Sequence, residues 1–264
     1  MAIRARQAAK SFEGKPALVG VSLEVADAEA LALLGAAGAG KSTLLRALAG
    51  RIFLDAGELE VLGHDPIRQD RALFAHVGWV PSQVGFPPGL SVRELGRFCR
   101  DVGGCGDALL FAQVCTRLEL GSAHLATRLP KNQQFFLSLA LALAKSPKLL
   151  MLDMPEAGLA AEVRREALFV ASEFRPEKCT LVLATEDVRE AAEFTKRIVW
   201  MKAGRVHESV SAEESVSPEG LAHQLLEKLP APLPAQNDGA LLPSEQLDEA
   251  SSFVLVHSEK GARS

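Results

Sequence analysis

Residues Gly35-Ala36-Ala37-Gly38-Ala39-Gly40-Lys41-Ser42-Thr43 complete the pattern G-x-x-x-x-G-K-[ST], after the apolar run Leu31-Ala32-Leu33-Leu34 and before Leu44, Leu45 and Leu48 at helical spacing. Few short patterns restrict a chain so strongly. A buried strand must deliver the loop, glycines must let backbone N–H groups face phosphate oxygens, and a helix N-terminus must point at the anion. The expected fold class is therefore α/β around a nucleoside triphosphate site. Gly35, Gly38, Gly40, Lys41, Ser42 and Thr43 form its nucleotide-binding set. Lys41 is expected to reach the β- and γ-phosphates and the Ser42 hydroxyl to ligate magnesium. The motif speaks for binding; turnover needs further residues.

Composition narrows the partners. With 48% apolar residues in 264, the chain supports one large α/β domain with an appendage, or two small ones. Tyr is absent, Trp occurs twice and the net charge is −4. Such a chain has little material for stacking on bases and no bulk attraction to phosphate backbones, so no nucleic-acid partner is expected. The longest strongly apolar stretch, Phe135 to Ala144, is only about half a membrane span, and the N-terminus lacks a signal-peptide pattern. The expected location is cytoplasmic. Cys99, Cys105, Cys115 and Cys179 make no C-x-x-C pair and the six His no H-x-x-x-H pair, which predicts free thiols and no zinc site.

Along the chain, residues 17–25 alternate as a strand ahead of the one feeding the loop, and Ser42 to Ala49 reads as a helix ended by Gly50. Further strands are expected at 58–63, at 77–80 before Pro81, at 148–153, at 180–184 and at 197–201, the last turning at Ala203-Gly204 into Arg205-Val206. Between about 86 and 145 the pattern turns helical, with Ser91 capping a helix through Glu94. A helical subdomain inserted into an α/β core follows. Beyond 208 the composition becomes Ser, Glu and Pro-rich, a partly flexible extension with a helical pattern at Pro218 to Leu229 and a short apolar piece, Phe253 to Val256.

The phosphate loop, the helical insertion, the Leu149-Leu150-Met151-Leu152-Asp153 strand and the Val199-Trp200-Met201-Lys202-Ala203-Gly204-Arg205-Val206 turn together resemble the ATP-binding subunit of ABC transporters. The resemblance covers roughly residues 3–207, and residues 1–207 would form one ATP-binding domain with 208–264 outside it. It implies a P-loop nucleoside triphosphatase core of ABC type and two such subunits, identical or different, sandwiching ATP. It also implies a membrane-spanning transporter subunit as partner, and so a cytoplasmic protein peripheral to the inner face of the membrane. The expected cofactors are ATP and magnesium. Phe12 falls where the family stacks an aromatic on adenine, Asp153 where it holds magnesium, and Ser82, with Gln83 next to it, where it places a glutamine.

Other positions depart from the family pattern. Met154 stands where a glutamate would position the attacking water, and a thioether has no basicity. The family's L-S-G-G-Q segment aligns with Leu129-Pro130-Lys131-Asn132-Gln133, where proline removes an N–H and side chains replace two glycines. Glu186 stands where a histidine would touch the γ-phosphate, and an ionised carboxylate would repel it. Ala160 replaces an interface aspartate. No catalytic residue is therefore assigned. The implied protein binds Mg-ATP with weak or absent hydrolysis; a non-enzymatic scaffold or regulator on the same fold is the alternative. The resemblance also puts the membrane partner against residues 82–100, where Val84, Phe86, Pro87, Pro88 and Leu90 are flanked by Arg93 and Arg97.

Overall fold

Short strands whose residues are apolar at every position need both faces of their sheet covered. In the computed structural model, which describes residues 1–68, 71–103, 106–154 and 159–211, that is what they obtain. In chain order the elements are β1 (Ile3–Phe12), β2 (Lys15–Val25), β3 (Ala30–Leu34), α1 (Lys41–Leu48), β4 (Ala56–Val61), α2 (Arg71–His76) and β5 (Val77–Val80). There follow α3 (Val92–Gly103), α4 (Ala108–Arg117), α5 (Lys131–Leu143), β6 (Leu149–Asp153), α6 (Ala161–Phe174), β7 (Thr180–Thr185), α7 (Val188–Phe194), β8 (Arg197–Lys202) and β9 (Arg205–Ser211).

Six strands form one sheet in the order β5-β6-β7-β3-β8-β9, parallel except for the β8–β9 hairpin. A second, antiparallel sheet runs β2-β1-β4. Side-chain alternation sorts the central strands onto two cores. Leu31, Leu33, Leu149, Met151, Val182, Ala184, Val199 and Met201 pack with α1 and the antiparallel sheet. Leu150, Leu152, Leu181 and Leu183 pack with the helical insertion and α6.

The insertion begins as the sequence predicts. Ser91 N and Oγ donate to Glu94 Oε2 at 2.9 and 2.6 Å, and Glu94 N donates back to Ser91 Oγ at 3.3 Å, the reciprocal cap that fixes a helix start. Val84, Phe86 and Leu90 are half-buried against the helical core, so the apolar surface expected from them is largely spent on packing the insertion, while Pro87 and Pro88 stay exposed. Cys105, residues 155–158, the patterns at Pro218 to Leu229 and Phe253 to Val256, and the extension after 211 lie outside the described residues.

Candidate functional site

Four parallel strands end on the same edge of the sheet. β3 runs into the phosphate loop, β5 into Ser82, β6 into Asp153 and β7 into Glu186. Ligands of open α/β sheets bind beyond that carboxyl edge.

The loop is clamped by backbone rather than by side chains. A Cβ on Gly35 would sit 2.3 Å from Met201 O, and one on Gly40, whose φ is +101°, would sit 2.6 Å from Ala17 O. These glycines are required because β8 and β2 pass too close for any side chain. Gly204, in the β8–β9 turn, donates from N to Ala39 O at 3.0 Å and accepts from Val19 N at 2.8 Å, tying loop, hairpin and antiparallel sheet together. α1 begins directly at Lys41, with Gly40 as its N-cap in the left-handed region.

Lys41 is 4% exposed. Its Nζ donates to Gly35 O at 2.6 Å and Ala36 O at 3.0 Å and lies 3.6 Å from Glu186 Oε1. Parity explains the last contact, since 182 and 184 share the face of β7 that turns toward α1 and Glu186, one residue past the strand's end, continues on that side. Thr43 follows on the first turn of α1.

Asp153 sits on the α1 side of β6, with 149 and 151, and is 3% exposed. Ser42 Oγ donates to its Oδ1 at 2.8 Å and Ser82 Oγ to its Oδ2 at 2.9 Å. Burial pushes the Asp153 carboxyl above its ordinary value, while the bonds from Ser42 and Ser82 and the Arg46 charge pull it back. A desolvated carboxylate beside a serine hydroxyl is a hard-oxygen pair that suits magnesium, so the residues fit the implied metal. Ser82, not the exposed Gln83, enters this cluster. Arg46 was not singled out from sequence, although its i, i+4 spacing from Ser42 on one helix places it on the same face.

Met154 takes the opposite parity. It continues the ladder through N–H to Ala184 O at 3.0 Å, but its side chain, 3% exposed, joins the core with Leu150 and Leu152. In the remaining segment Leu129 is buried, Pro130 is the N-cap of α5 with no side-chain cap bond, and Lys131, exposed, opens the helix. Gln134 Nε2 closes back on Leu129 O at 2.8 Å. Phe12 ends β1 with its ring 42% exposed and Lys10 Nζ 5.5 Å from the ring centre.

A second network adjoins the site. Arg164 Nε donates to Glu190 Oε1 at 2.8 Å and Thr185 Oγ1 to Glu190 Oε2 at 2.7 Å, while Asp187 N donates to Thr185 Oγ1 at 3.0 Å. Asp187 also caps α7 by accepting from Arg189 N at 2.8 Å.

Comparison with known proteins gives one consistent result. A family model described as ABC transporter matches residues 18–157. The sulfate/thiosulfate import ATP-binding protein CysA of Bradyrhizobium diazoefficiens is 36% identical over 224 residues, covering 81% of this chain and 65% of that protein, so the chain spans just under two thirds of its length. The phosphonates import ATP-binding protein PhnC of Stutzerimonas stutzeri is 32% identical, covering 78% of this chain and 83% of the relative. A solved ATP-binding subunit of an ABC transporter superposes with a TM-score of 0.74 at 19% identity, over 86% of this chain and all of that one (100%), a likeness of fold.

Proposed function

The chain belongs to the ABC transporter ATP-binding family, and on that premise we propose that it is the nucleotide-binding subunit of an ABC-type transport complex that holds Mg-ATP and hydrolyses it weakly or not at all. The observation carrying this reading is a split between two adjacent residues. Ser42 donates to Asp153 at 2.8 Å beside a buried Lys41, which supports a site for magnesium and phosphate. Met154, next to it, is a buried thioether in the core. A group that can orient water or take its proton contributes typically about 10²–10⁴ in rate, and a thioether supplies neither.

Pro130 and the side chains of Lys131 and Asn132 support a weakened grip on the nucleotide of a second ATP-binding subunit, identical or different. A membrane-spanning subunit would carry the substrate path and hold this chain at the inner face of the membrane. Among the described residues no helix is long and apolar enough to cross a membrane.

Titration calorimetry with Mg-ATP, paired with a phosphate-release assay, tests the proposal. Binding should be present and lost in Lys41→Ala, with release at background. Turnover of about 1 per second or faster, in the ordinary range for enzymes and abolished by the same substitution, would overturn the low-hydrolysis reading.

A further inference from the structure

We propose that this site selects a Mg-nucleoside diphosphate over the triphosphate, and that Glu186 is the residue that discriminates against the terminal phosphoryl group. The proposal deepens the nucleotide-binding reading above and rests on it.

The first observation is the position of the Glu186 carboxylate. Its Oε1 lies 3.6 Å from Lys41 Nζ, and the lysine of a phosphate loop serves the β- and γ-phosphates. A γ-phosphate brought to Lys41 must share the ammonium with Glu186 and come within a few ångströms of a like charge. Two such charges about 4 Å apart repel substantially at the effective dielectric of a protein surface. The Glu186 side chain is 36% exposed, so solvent screens the repulsion. The expected penalty is a ratio of about ten in affinity rather than thousands. A diphosphate ends at the β-phosphate and avoids most of it.

The second observation is that the turn carrying Glu186 is fixed on both sides. Thr185 Oγ1 accepts from Asp187 N at 3.0 Å and donates at 2.7 Å to Glu190, which Arg164 holds at 2.8 Å. Asp187 is committed to capping α7. The backbone at 186 therefore has little freedom to carry the carboxylate away from the loop. The metal cluster is held by its own hydrogen bonds, from Ser42 and Ser82 to Asp153, without using Glu186.

The test is titration calorimetry at fixed magnesium with ADP and with a β,γ-imido analogue of ATP, on the full chain and on Glu186→Gln and Glu186→Ala, each checked for fold by circular dichroism. The unmodified chain should bind ADP at least about ten-fold more tightly than the triphosphate analogue. Both variants should bring the two affinities to within about three-fold, through a gain for the triphosphate. Equal or tighter triphosphate binding by the unmodified chain overturns the proposal, as does a diphosphate-to-triphosphate ratio that neither substitution moves. Failure of both nucleotides to bind overturns the nucleotide reading itself and takes this inference with it, a result distinct from equal binding.

Discussion

Arg164 on α6 donates to Glu190 on α7 across 2.8 Å, with the two side chains only 16% and 6% exposed. Removing one member of such a pair leaves the other charge buried without its partner, at a cost of about 3–5 kcal/mol. Arg164→Ala should show that loss in urea denaturation. The double substitution Arg164→Met with Glu190→Leu should recover much of it, because two apolar side chains leave no stranded charge. A single-variant loss under about 1 kcal/mol would show the pair to be screened.

The three loop glycines should differ in cost. Gly40→Ala meets both a positive φ and Ala17 O at 2.6 Å, and Gly35→Ala meets Met201 O at 2.3 Å. Gly38 has φ +74° with open space around it, so its alanine variant carries only the left-handed strain, about 1–2 kcal/mol. Thermal unfolding should rank the losses Gly40 above Gly35 above Gly38. Nucleotide affinity should fall in the first two whether or not the fold survives at room temperature.

Asp153 gives a pH dependence whose sign follows from its burial. Its carboxyl titrates above the ordinary value in the folded chain. Folding is therefore favoured when the group is protonated, and that contribution is lost as pH rises through the folded pKa. Asp153→Asn, which stays neutral, should be more stable than the unmodified protein at pH 7. The difference should shrink as pH falls toward the ordinary carboxylate range. Magnesium-dependent nucleotide binding should disappear in the same variant, and a constant stability difference across pH would contradict the assignment.

Burial pushes the Cys115 thiol up to about 12 and the Cys179 thiol up to about 11, the latter against a small opposing pull from Arg175. At pH 8 about one Cys179 in a thousand is then thiolate, the form that reacts. Iodoacetamide at pH 8 followed by peptide mass spectrometry should leave both unmodified in the native protein and label both in urea. Rapid labelling of either without denaturant would mean that the packing around it opens.

How much of this was legible in the sequence depended on the range of the interaction. The phosphate loop, the strand ending in Asp153 and the Ser91–Glu94 cap are local patterns, and they stand where the residues put them. β1 alternates poorly because register shifts interrupt its pairing with β2 after Ala5 and Gln7 sits at φ +49°, so period two breaks mid-strand. α6 leaves no apolar stripe in the sequence because half of its buried positions are Ala167 and Ala171. Ser82 and Gln83 could be separated only by the direction in which the chain leaves β5. The Lys41–Glu186 contact joins the ends of neighbouring strands far apart in sequence, so it needs the strand order. Val84, Phe86 and Leu90 were apolar in any reading, but composition does not say whether an apolar group faces its own core or a partner.

The parity of β6 also sets what its last residue and the one just after it can tolerate. On the proposed reading position 153 is judged by charge and by oxygen ligands, while position 154 is judged by volume and shape among Leu150, Leu152 and their neighbours. In a saturation library, variants at 154 should sort by fold recovery, with Leu and Ile surviving and polar residues depleted. Variants at 153 should instead sort by retention on a nucleotide column while remaining folded. Two adjacent codons would thus yield uncorrelated fitness profiles, because a single step along the chain moves the side chain from the α1 side of the sheet to the helical one.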